Sequence, residues 1–256
     1  IITSQNIGIV CFFLIICLNF LSLLNGRKVE IQKINIFTSK LKKNIKLIFL
    51  SDIHLGTNPR KHLEKIYLKI KDLKYDFILI GGDLIDSSSF KLDGLSVLKD
   101  LKKPIFFISG NHEYYIKDYK KKLNKLKEYN LIFLNNMSYK FNDINIIGIS
   151  DNQKVVNQIK IANKYIKKNL FNLIVVHKPT IWDLVYKKTD LMLSGHTHNG
   201  QIFPFNLFVK FQFKNIYGMY EKLDSKLYVS SGSGCWGPKM RLGSKNEIVQ
   251  LSISKT

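Results

Sequence analysis

The amino-acid sequence predicts an α/β protein, either an open α/β sheet or an α/β/β/α sandwich, built as one domain. Short, continuous apolar runs alternate with amphipathic helical patterns along most of the chain. Acidic, amide and histidine side chains directly follow several of these runs. An uncharged apolar segment and a basic junction precede them. We therefore divide the chain into an N-terminal membrane anchor, residues 1–28, and one larger domain, residues 29–256.

The predicted strands are apolar at successive positions rather than at alternate ones. This pattern is typical of strands that are covered on both faces of their sheet. The predicted strands are Ile45–Ser51, Phe77–Ile80, Pro104–Ser109, Ile144–Ile149, Leu173–Val176 and Leu191–Leu193. We therefore expect a second layer of structure on each side of the sheet.

Amphipathic segments between these runs predict helices. The clearest is Pro59–Leu73, which places Leu63, Ile66 and Ile70 on its apolar side. The other predicted helices are Leu92–Leu101, Lys117–Glu128 and Thr180–Lys187. No repeat or low-complexity linker divides the chain, so we expect the alternating elements to form one domain.

The segment Ile7–Leu24 carries no charged residue. A helix of roughly 18 apolar residues just crosses the hydrocarbon core of a bilayer. We interpret it as a retained single-pass anchor. A cleaved secretory signal is the alternative, although no small-x-small cleavage site follows. Arg27 and Lys28 favour a cytoplasmic location for the following domain.

The net charge of +21 comes from 40 Lys and Arg residues against 19 Asp and Glu residues. One explanation is a codon bias that fills solvated faces with lysine; the other is an anionic partner. With an anchor present, the anionic membrane surface is the partner we expect. No basic stripe with interleaved stacking aromatics is seen, so we expect no nucleic-acid binding and a monomeric protein. Cys235 is the single cysteine outside the apolar segment, which excludes a disulfide within the domain.

Polar motifs follow the predicted strands in a fixed order. They are Asp52-Ile53-His54, Gly82-Asp83-Leu84-Ile85-Asp86, Asn111-His112-Glu113, His177, and Gly195-His196-Thr197-His198. Functional groups in open α/β sheets gather at the carboxyl ends of strands. We therefore expect these side chains to converge at one edge of the fold.

These residue types form a ligand set for divalent metals. Mixed carboxylate, amide and imidazole ligands suit Mn, Fe or Zn better than Ca. Asp52 and His54 are one residue apart, so an extended backbone would point both to the same side. His196 and His198 repeat that spacing but could bind different ions. A lone histidine is more often structural, and we assign no role to His62, which we expect on an exposed helix face.

The ordered motifs Asp-x-His, Gly-Asp-x-x-Asp, Gly-Asn-His-Glu, His and Gly-His-x-His resemble those of the calcineurin-like metallophosphoesterase superfamily, from Lys46 to the C terminus. The resemblance implies a four-layer α/β/β/α sandwich that hydrolyses phosphate esters with two divalent metal ions. Mn is the expected metal, with Zn, Fe, Ni and Mg as alternatives. The implied ligands are Asp52, His54, Asp83 and His198 for the first ion, and Asp83, Asn111, His177 and His196 for the second. His112 is implied as the proton donor, oriented by Asp86.

Departures from the motifs narrow the branch. Ser87 stands where Ser/Thr protein phosphatases carry an arginine, which argues against a phosphoprotein substrate. The C-terminal part is similar to a bacterial membrane-associated branch described as phosphodiesterases or phosphohydrolases, although Asn199 replaces its usual glycine. We expect phosphodiester hydrolysis at a membrane surface, with a lipid-linked substrate as one option. The alternatives are UDP-2,3-diacylglucosamine-type pyrophosphate hydrolysis and an inactive membrane-bound scaffold.

Two C-terminal features have two interpretations each. Arg241 follows a glycine-rich turn and is either a substrate-binding anion contact or a surface residue. The phenylalanine-rich segment Gln201–Lys214 is either a strand or β-hairpin packed on the core, or a set of exposed aromatics beside the site that enter the membrane interface.

Overall fold

The computed structural model describes residues 4–256, which form seven α-helices and twelve β-strands. The helices are α1 (Ser4–Gly26), α2 (Arg60–Ile70), α3 (His112–Tyr115), α4 (Tyr119–Leu126), α5 (Val155–Tyr165), α6 (Trp182–Val185) and α7 (Phe205–Gln212). The strands are β1 (Val29–Thr38), β2 (Ile45–Leu50), β3 (Phe77–Gly81), β4 (Ile105–Ile108), β5 (Leu131–Phe133), β6 (Met137–Phe141), β7 (Ile144–Ile149), β8 (Phe171–Val176), β9 (Leu191–Ser194), β10 (Gly218–Lys222), β11 (Ser225–Val229) and β12 (Asn246–Lys255). Short 3₁₀ helices cover Leu92–Asp100, Lys127–Tyr129, Pro179–Ile181, Tyr186–Lys188 and His198–Gly200.

The strands form two six-stranded sheets. The first has the order β1-β12-β2-β3-β4-β5, and the second has the order β10-β11-β9-β8-β7-β6. Strands β2 to β5 run parallel to one another, as do β7, β8, β9 and β11. The parallel blocks are in the middle of the sheets, so their carboxyl ends form a common edge in each sheet.

Both faces of the central strands are buried, which explains their continuous apolar sequence. In β2, Leu47 and Phe49 pack between the two sheets, whereas Ile48 and Leu50 pack against the helices outside the first sheet. Side chains alternate between the faces of a strand, so each face contributes to a different core. The predicted covering on both sides is confirmed.

The second sheet has its own outer layer. Ile147 of β7 and Val176 of β8 pack with Trp182 of α6 in a third apolar cluster. The Trp182 indole Nε1 donates a hydrogen bond to Ser225 Oγ at 3.1 Å, so its polar atom is also paired. Helices outside each sheet confirm the four-layer α/β/β/α sandwich.

Several elements differ from the sequence prediction. The segment Leu92–Asp100 is a 3₁₀ helix rather than an α-helix. Helix α4 begins at Tyr119, two residues later than predicted, because Asp118 has a left-handed backbone with φ of 57°. The interpretation of Gln201–Lys214 as a strand is wrong, since this segment contains α7. Strands β1 and β12, which pair in parallel, were not predicted.

Helix α1 projects from the sandwich but is fixed to it at one end. Its residues Asn6–Gly26 are apolar enough to span a membrane, and 6% of the most apolar window is buried. At the C-terminal end, the Ser22 carbonyl accepts a hydrogen bond from Arg241 N at 2.9 Å, and the Gly26 carbonyl accepts one from Asn246 Nδ2 at 2.8 Å. The last turns of α1 therefore belong to the packed part of the protein.

We predict that Gly26→Val loosens this junction. A Cβ atom at Gly26 would clash with the backbone of Lys239, and overpacking of this kind costs about 1–3 kcal/mol. For a chain of this size, the melting temperature should fall by about 2–10 °C in a thermal unfolding measurement. Gly8→Val is the matched control, because no atom lies near a Cβ at that position of α1. An equal effect of both substitutions would contradict the fixed junction.

Candidate metal centre

Seven polar side chains meet at the common edge of the two sheets. Asp52 and His54 follow β2, Asp83 follows β3, Asn111 follows β4, His177 follows β8, and His196 and His198 follow β9. The first sheet thus supplies four of them and the second sheet three. The expected convergence of the motifs is seen in the structure, and it needs both sheets.

Asp52, His54 and His198 form the first ligand-like group. Their potential ligand atoms lie within 4.8 Å of one another. The closest pair is His54 Nε2 and His198 Nε2 at 3.1 Å, and Asp52 Oδ1 lies 3.6 Å from His198 Nε2. Two imidazole nitrogens and a carboxylate oxygen therefore face a common point.

Asp83, His177 and His196 form the second group. Here His196 Nδ1 lies 3.2 Å from His177 Nε2, which in turn lies 3.1 Å from Asp83 Oδ2. His177 Nδ1 lies 2.9 Å from the Gly81 carbonyl and donates a hydrogen bond to it. That bond fixes the tautomer and leaves Nε2 free of a proton in the neutral ring.

The Asp83 carboxylate lies between the two groups. Its Oδ2 is 3.1 Å from His177 Nε2 in one group and 3.8 Å from His54 Nε2 in the other. Its Oδ1 accepts a hydrogen bond from His112 N at 2.9 Å, which fixes the carboxylate plane. One carboxylate oxygen therefore faces both groups, as a bridging ligand would.

Most of the clustered residues have a left-handed backbone. The φ angles are positive at Asp52 (53°), His54 (51°), Asp83 (53°), His196 (70°) and His198 (50°). The expectation that Asp52 and His54 lie on an extended segment is therefore wrong. Each such non-glycine residue costs about 1–2 kcal/mol, so the surrounding hydrogen bonds must hold these turns. His54 N donates to the Asp83 carbonyl at 2.9 Å, and His196 N donates to Asp52 Oδ1 at 3.1 Å.

The buried Glu113 carboxylate holds two of the loops, a role that the sequence analysis missed. It accepts hydrogen bonds from the backbone N–H groups of Asp83 (3.0 Å), Ile85 (3.0 Å) and Gly110 (2.7 Å). Burial, together with the nearby Asp83 carboxylate, raises the pKa of Glu113 to about 7 despite these bonds. An acidic residue next to the Asn111-His112 motif was the available signal.

Asp86 contacts His54 rather than His112, which corrects the sequence prediction. Asp86 Oδ2 lies 3.3 Å from His54 Nδ1, an ion-pair distance, and Oδ1 accepts a hydrogen bond from Thr57 N at 2.9 Å. The His112 ring instead packs edge-on against His54, with ring centroids 4.8 Å apart. His112 Nε2 lies 4.0 Å from Asp83 Oδ2 at the more exposed side of the cluster.

Arg241 is fully buried, so neither interpretation made from its sequence context fits the structure. The guanidinium donates to the carbonyls of His198 (2.8 Å), Ser231 (2.7 Å) and Gly234 (2.7 Å), and to Asn246 Oδ1 (2.9 Å). Its donors are used inside the protein rather than presented to an anion. Arg241 therefore fixes the turn that carries His198 to the loop Ser231–Gly234.

The loop Ser231–Gly234 lies against the first group and has two further supports. The buried Glu247 carboxylate accepts hydrogen bonds from Ser231 N at 3.1 Å and from the Tyr228 hydroxyl at 2.9 Å. His62 Nε2 lies 2.8 Å from the Ser233 carbonyl, so His62 is half-buried rather than exposed as expected. These contacts link α2 and β12 to the centre.

The carboxylates polarise the clustered histidines. Burial alone would lower the pKa of His177, but Asp83 and Asp52 outweigh it and raise the pKa to about 10. Burial, with the neighbouring His177 and Lys178, lowers the pKa of His196 to about 2. For Asp83, the adjacent histidines outweigh burial and lower the pKa. Carboxylates and imidazoles are thus arranged as charged and neutral partners.

The donor set fits divalent metal ions. The Asn111 Oδ1 atom is buried and has no hydrogen-bond partner among residues 4–256, although buried polar atoms are normally paired. A metal ion would supply that partner. The paired imidazole nitrogens and the two carboxylates are ligands that Zn, Mn and Fe accept in proteins.

Comparisons with known proteins agree with this chemistry. A family model described as calcineurin-like phosphoesterase matches residues 45–200. An uncharacterized metallophosphoesterase of Campylobacter jejuni is 34% identical over 241 residues, covering 88% of this chain and 63% of that protein. An uncharacterized metallophosphoesterase of Aquifex aeolicus is 30% identical over 256 residues, covering 94% of this chain and 98% of that protein.

A eukaryotic relative carries a membrane name. A Bos taurus protein named transmembrane protein with metallophosphoesterase domain is 30% identical over 235 residues, covering 82% of this chain and 53% of that protein. The chain thus spans less than two thirds of the length of the Campylobacter and Bos proteins, and nearly all of the Aquifex protein.

We predict that Arg241→Met destabilises the protein without removing a substrate contact. The substitution leaves buried carbonyls without donors, which should lower the free energy of unfolding by about 3–5 kcal/mol. The measurement is denaturant unfolding. Arg60→Met is the matched control: its guanidinium is half-exposed and pairs with Glu64, and such pairs contribute less than about 1 kcal/mol. Unchanged stability of the Arg241→Met protein with weaker phosphate binding would instead restore the anion contact.

Proposed function

The chain belongs to the calcineurin-like phosphoesterase family, and from that premise we propose that it hydrolyses phosphodiesters at a membrane surface, using two divalent metal ions. A metal-dependent phosphoester hydrolase is what the family shows. The observation that carries the two-ion proposal is the pair of histidine contacts on either side of Asp83, at 3.1 Å and 3.2 Å. Each contact brings together ligand atoms from different strands.

The proposed ligand sets follow the two groups. The first ion would be held by Asp52, His54, His198 and Asp83, and the second by Asp83, Asn111, His177 and His196. The position of Asp83 Oδ2 between the groups supports its role as the shared ligand. The unpaired Asn111 Oδ1 supports the amide as a neutral ligand of the second set. Mn is the metal we propose to test first.

The residues of the chain supply the rest of the chemistry. Two divalent ions, when bound, supply Lewis acidity and lower the pKa of water. His112 lies beside the cluster at its more accessible side, where its Nε2 can donate a proton to the departing oxygen of the ester. Burial lowers the pKa of the free His112 ring, while Asp83 opposes that change.

The distribution of arginines favours a phosphodiester over a phosphomonoester. The arginines of the chain are Arg27, Arg60 and Arg241. Arg241 is committed to carbonyl groups, Arg27 follows α1, and Arg60 pairs with Glu64 on α2. A diester carries one negative charge and a monoester up to two, so a centre without an arginine clamp suits the diester better.

Helix α1 supports the membrane setting. Its length and apolar composition allow it to cross a bilayer, and a relative is named as a transmembrane protein. The net charge of +21 would attract the rest of the chain to anionic head groups. The cytoplasmic location of the domain stays a prediction from Arg27 and Lys28.

The function is tested with the purified full-length protein in detergent. Turnover is measured with Mn and bis-p-nitrophenyl phosphate, p-nitrophenyl phosphate and UDP-2,3-diacylglucosamine in parallel. Preference for the first compound supports the phosphodiesterase proposal. Preference for the last would favour pyrophosphate hydrolysis. No turnover with any metal or substrate would favour the inactive scaffold, which the complete ligand set argues against.

We predict that Asp83→Asn removes activity together with at least one metal ion. The neutral amide leaves the positive charge of two ions poorly compensated and removes the shared ligand. Elemental analysis and turnover measure the two effects. Asp224→Asn, at an exposed turn, is the control and should keep both. Two retained ions with full turnover in the Asp83→Asn protein would contradict the dinuclear assignment.

We predict that His112→Ala lowers turnover by about 10²–10⁴, the usual contribution of a positioned proton donor. Metal content should stay unchanged, because the proposed role of His112 is proton donation and not metal binding. The loss should be larger for substrates with a poor leaving group. Lost metal would make His112 a ligand instead. Full turnover with a poor leaving group would exclude its role as an acid.

A further inference from the structure

Helix α7 and the loop facing it expose an unusual set of large apolar side chains. No residue of α7 is buried. The exposed side chains, which we call the apolar lip, are Phe203, Phe205, Leu207, Phe208, Phe211 and Trp236. Their exposure ranges from 48% at Leu207 to 89% at Phe211. A contiguous apolar patch of this kind on a protein surface usually marks a binding surface.

The apolar lip borders the candidate metal centre on two sides. Phe213, the residue after α7, has its ring centroid 5.3 Å from that of His196. The Trp236 ring centroid lies 6.0 Å from that of His112. A molecule bound at the centre would therefore contact the lip with whatever lies beyond its phosphate.

The apolar lip is also joined to the end of α1 through a short run of backbone contacts. Phe203 N donates to the Leu242 carbonyl at 2.8 Å, and Arg241 N donates to the Ser22 carbonyl at 2.9 Å. The Gln201 side chain bonds the backbone of Trp236 through both its oxygen and its nitrogen. Continuity with the membrane helix selects a lipid bilayer as the occupant of this surface.

The composition of α7 agrees with an interfacial helix. Lys210 lies among the phenylalanines of α7, Lys214 follows the helix, and Lys239 follows Trp236. Aromatic side chains that enter the acyl boundary, with lysines directed to the head groups, are typical of helices that lie in the membrane interface. This also explains how the Gln201–Lys214 segment can keep so much apolar surface outside the core.

We propose that the apolar lip inserts into the bilayer leaflet at the C-terminal end of α1, and that the substrate is a lipid phosphoester whose acyl chains stay in that leaflet. The substrate half of this inference rests on the proposed function; the insertion does not. The centre then opens towards the membrane, and the scissile phosphate reaches it from the head-group layer.

Insertion is tested by fluorescence quenching, because the chain has two tryptophans in very different surroundings. Trp236 is 54% exposed in the apolar lip, and Trp182 is 4% exposed in the core. Full-length Trp182→Phe protein is placed in phosphatidylcholine–phosphatidylglycerol vesicles that contain brominated lipid. We expect Trp236 to be quenched. Trp236→Phe, which keeps Trp182, is the matched control and should not be quenched.

The substrate half is tested with Phe208→Ser. Phe208 is 63% exposed, and Phe37→Ser is the matched control, since Phe37 is 65% exposed near the far end of β1. Turnover is compared between lipid substrates in vesicles, phosphatidylglycerol and UDP-2,3-diacylglucosamine, and soluble bis-p-nitrophenyl phosphate. Phe208→Ser should lower the ratio of lipid to soluble turnover by about tenfold or more, because burial of one phenylalanine corresponds to a factor of that order. Phe37→Ser should leave the ratio unchanged.

The outcomes separate this inference from the proposed function. Unquenched Trp236 overturns the insertion, and a changed oligomeric state of Phe208→Ser in detergent with Trp236 unquenched would assign the lip to a second copy of the chain. An enzyme that hydrolyses the soluble diester but neither lipid overturns the lipid substrate. Equal losses on all substrates with a lower melting temperature would make Phe208 structural. Failure of the wild-type protein on the soluble diester counts against the proposed function, while the quenching still decides the insertion.

Discussion

The metal centre depends on one buried carboxylate that is not itself among the proposed ligands. Glu113 binds three backbone N–H groups from the loops that follow β3 and β4. These loops carry Asp83 and Asn111, and Asp83 has a left-handed backbone that its own side chain does not favour. Hydrogen bonds to a carboxylate are among the stronger ones in proteins, so this clamp offsets the conformational cost. The ligand positions are thus fixed by the backbone before any ion binds.

The second constraint is electrostatic and comes from packing like side chains together. Four histidines lie in two close pairs beside two carboxylates. Within the second pair, one ring has its pKa raised and the other has it lowered, because only one of two adjacent imidazoles can carry a proton beside Asp83. The site is therefore a set of coupled groups, and a substitution at one histidine changes the protonation of its neighbours.

The sequence predicted the parts of this protein that repeat a simple physical pattern. Central strands such as β7 have continuous apolar sequence because both faces are buried, and the ligand motifs follow them because parallel strands end at one edge. The sequence could not show where a long polar side chain points: Arg241 turns inward to carbonyls that are distant in the chain, and Asp86 contacts His54. Helix α7 was missed because its apolar residues face outward, which a pattern based on burial assigns to the core.

The rigid junction between α1 and the sandwich limits the distance at which the protein can act. A flexible linker would let a tethered domain sample many heights above a bilayer. Here the Ser22 and Gly26 carbonyls are bonded to Arg241 and Asn246, and Arg241 also binds the carbonyl of His198. With α1 in a bilayer, the height of the centre becomes a structural constant. Phosphates would then be selected by their depth within the head-group layer, and the same group carried on a longer polar stalk would pass out of reach.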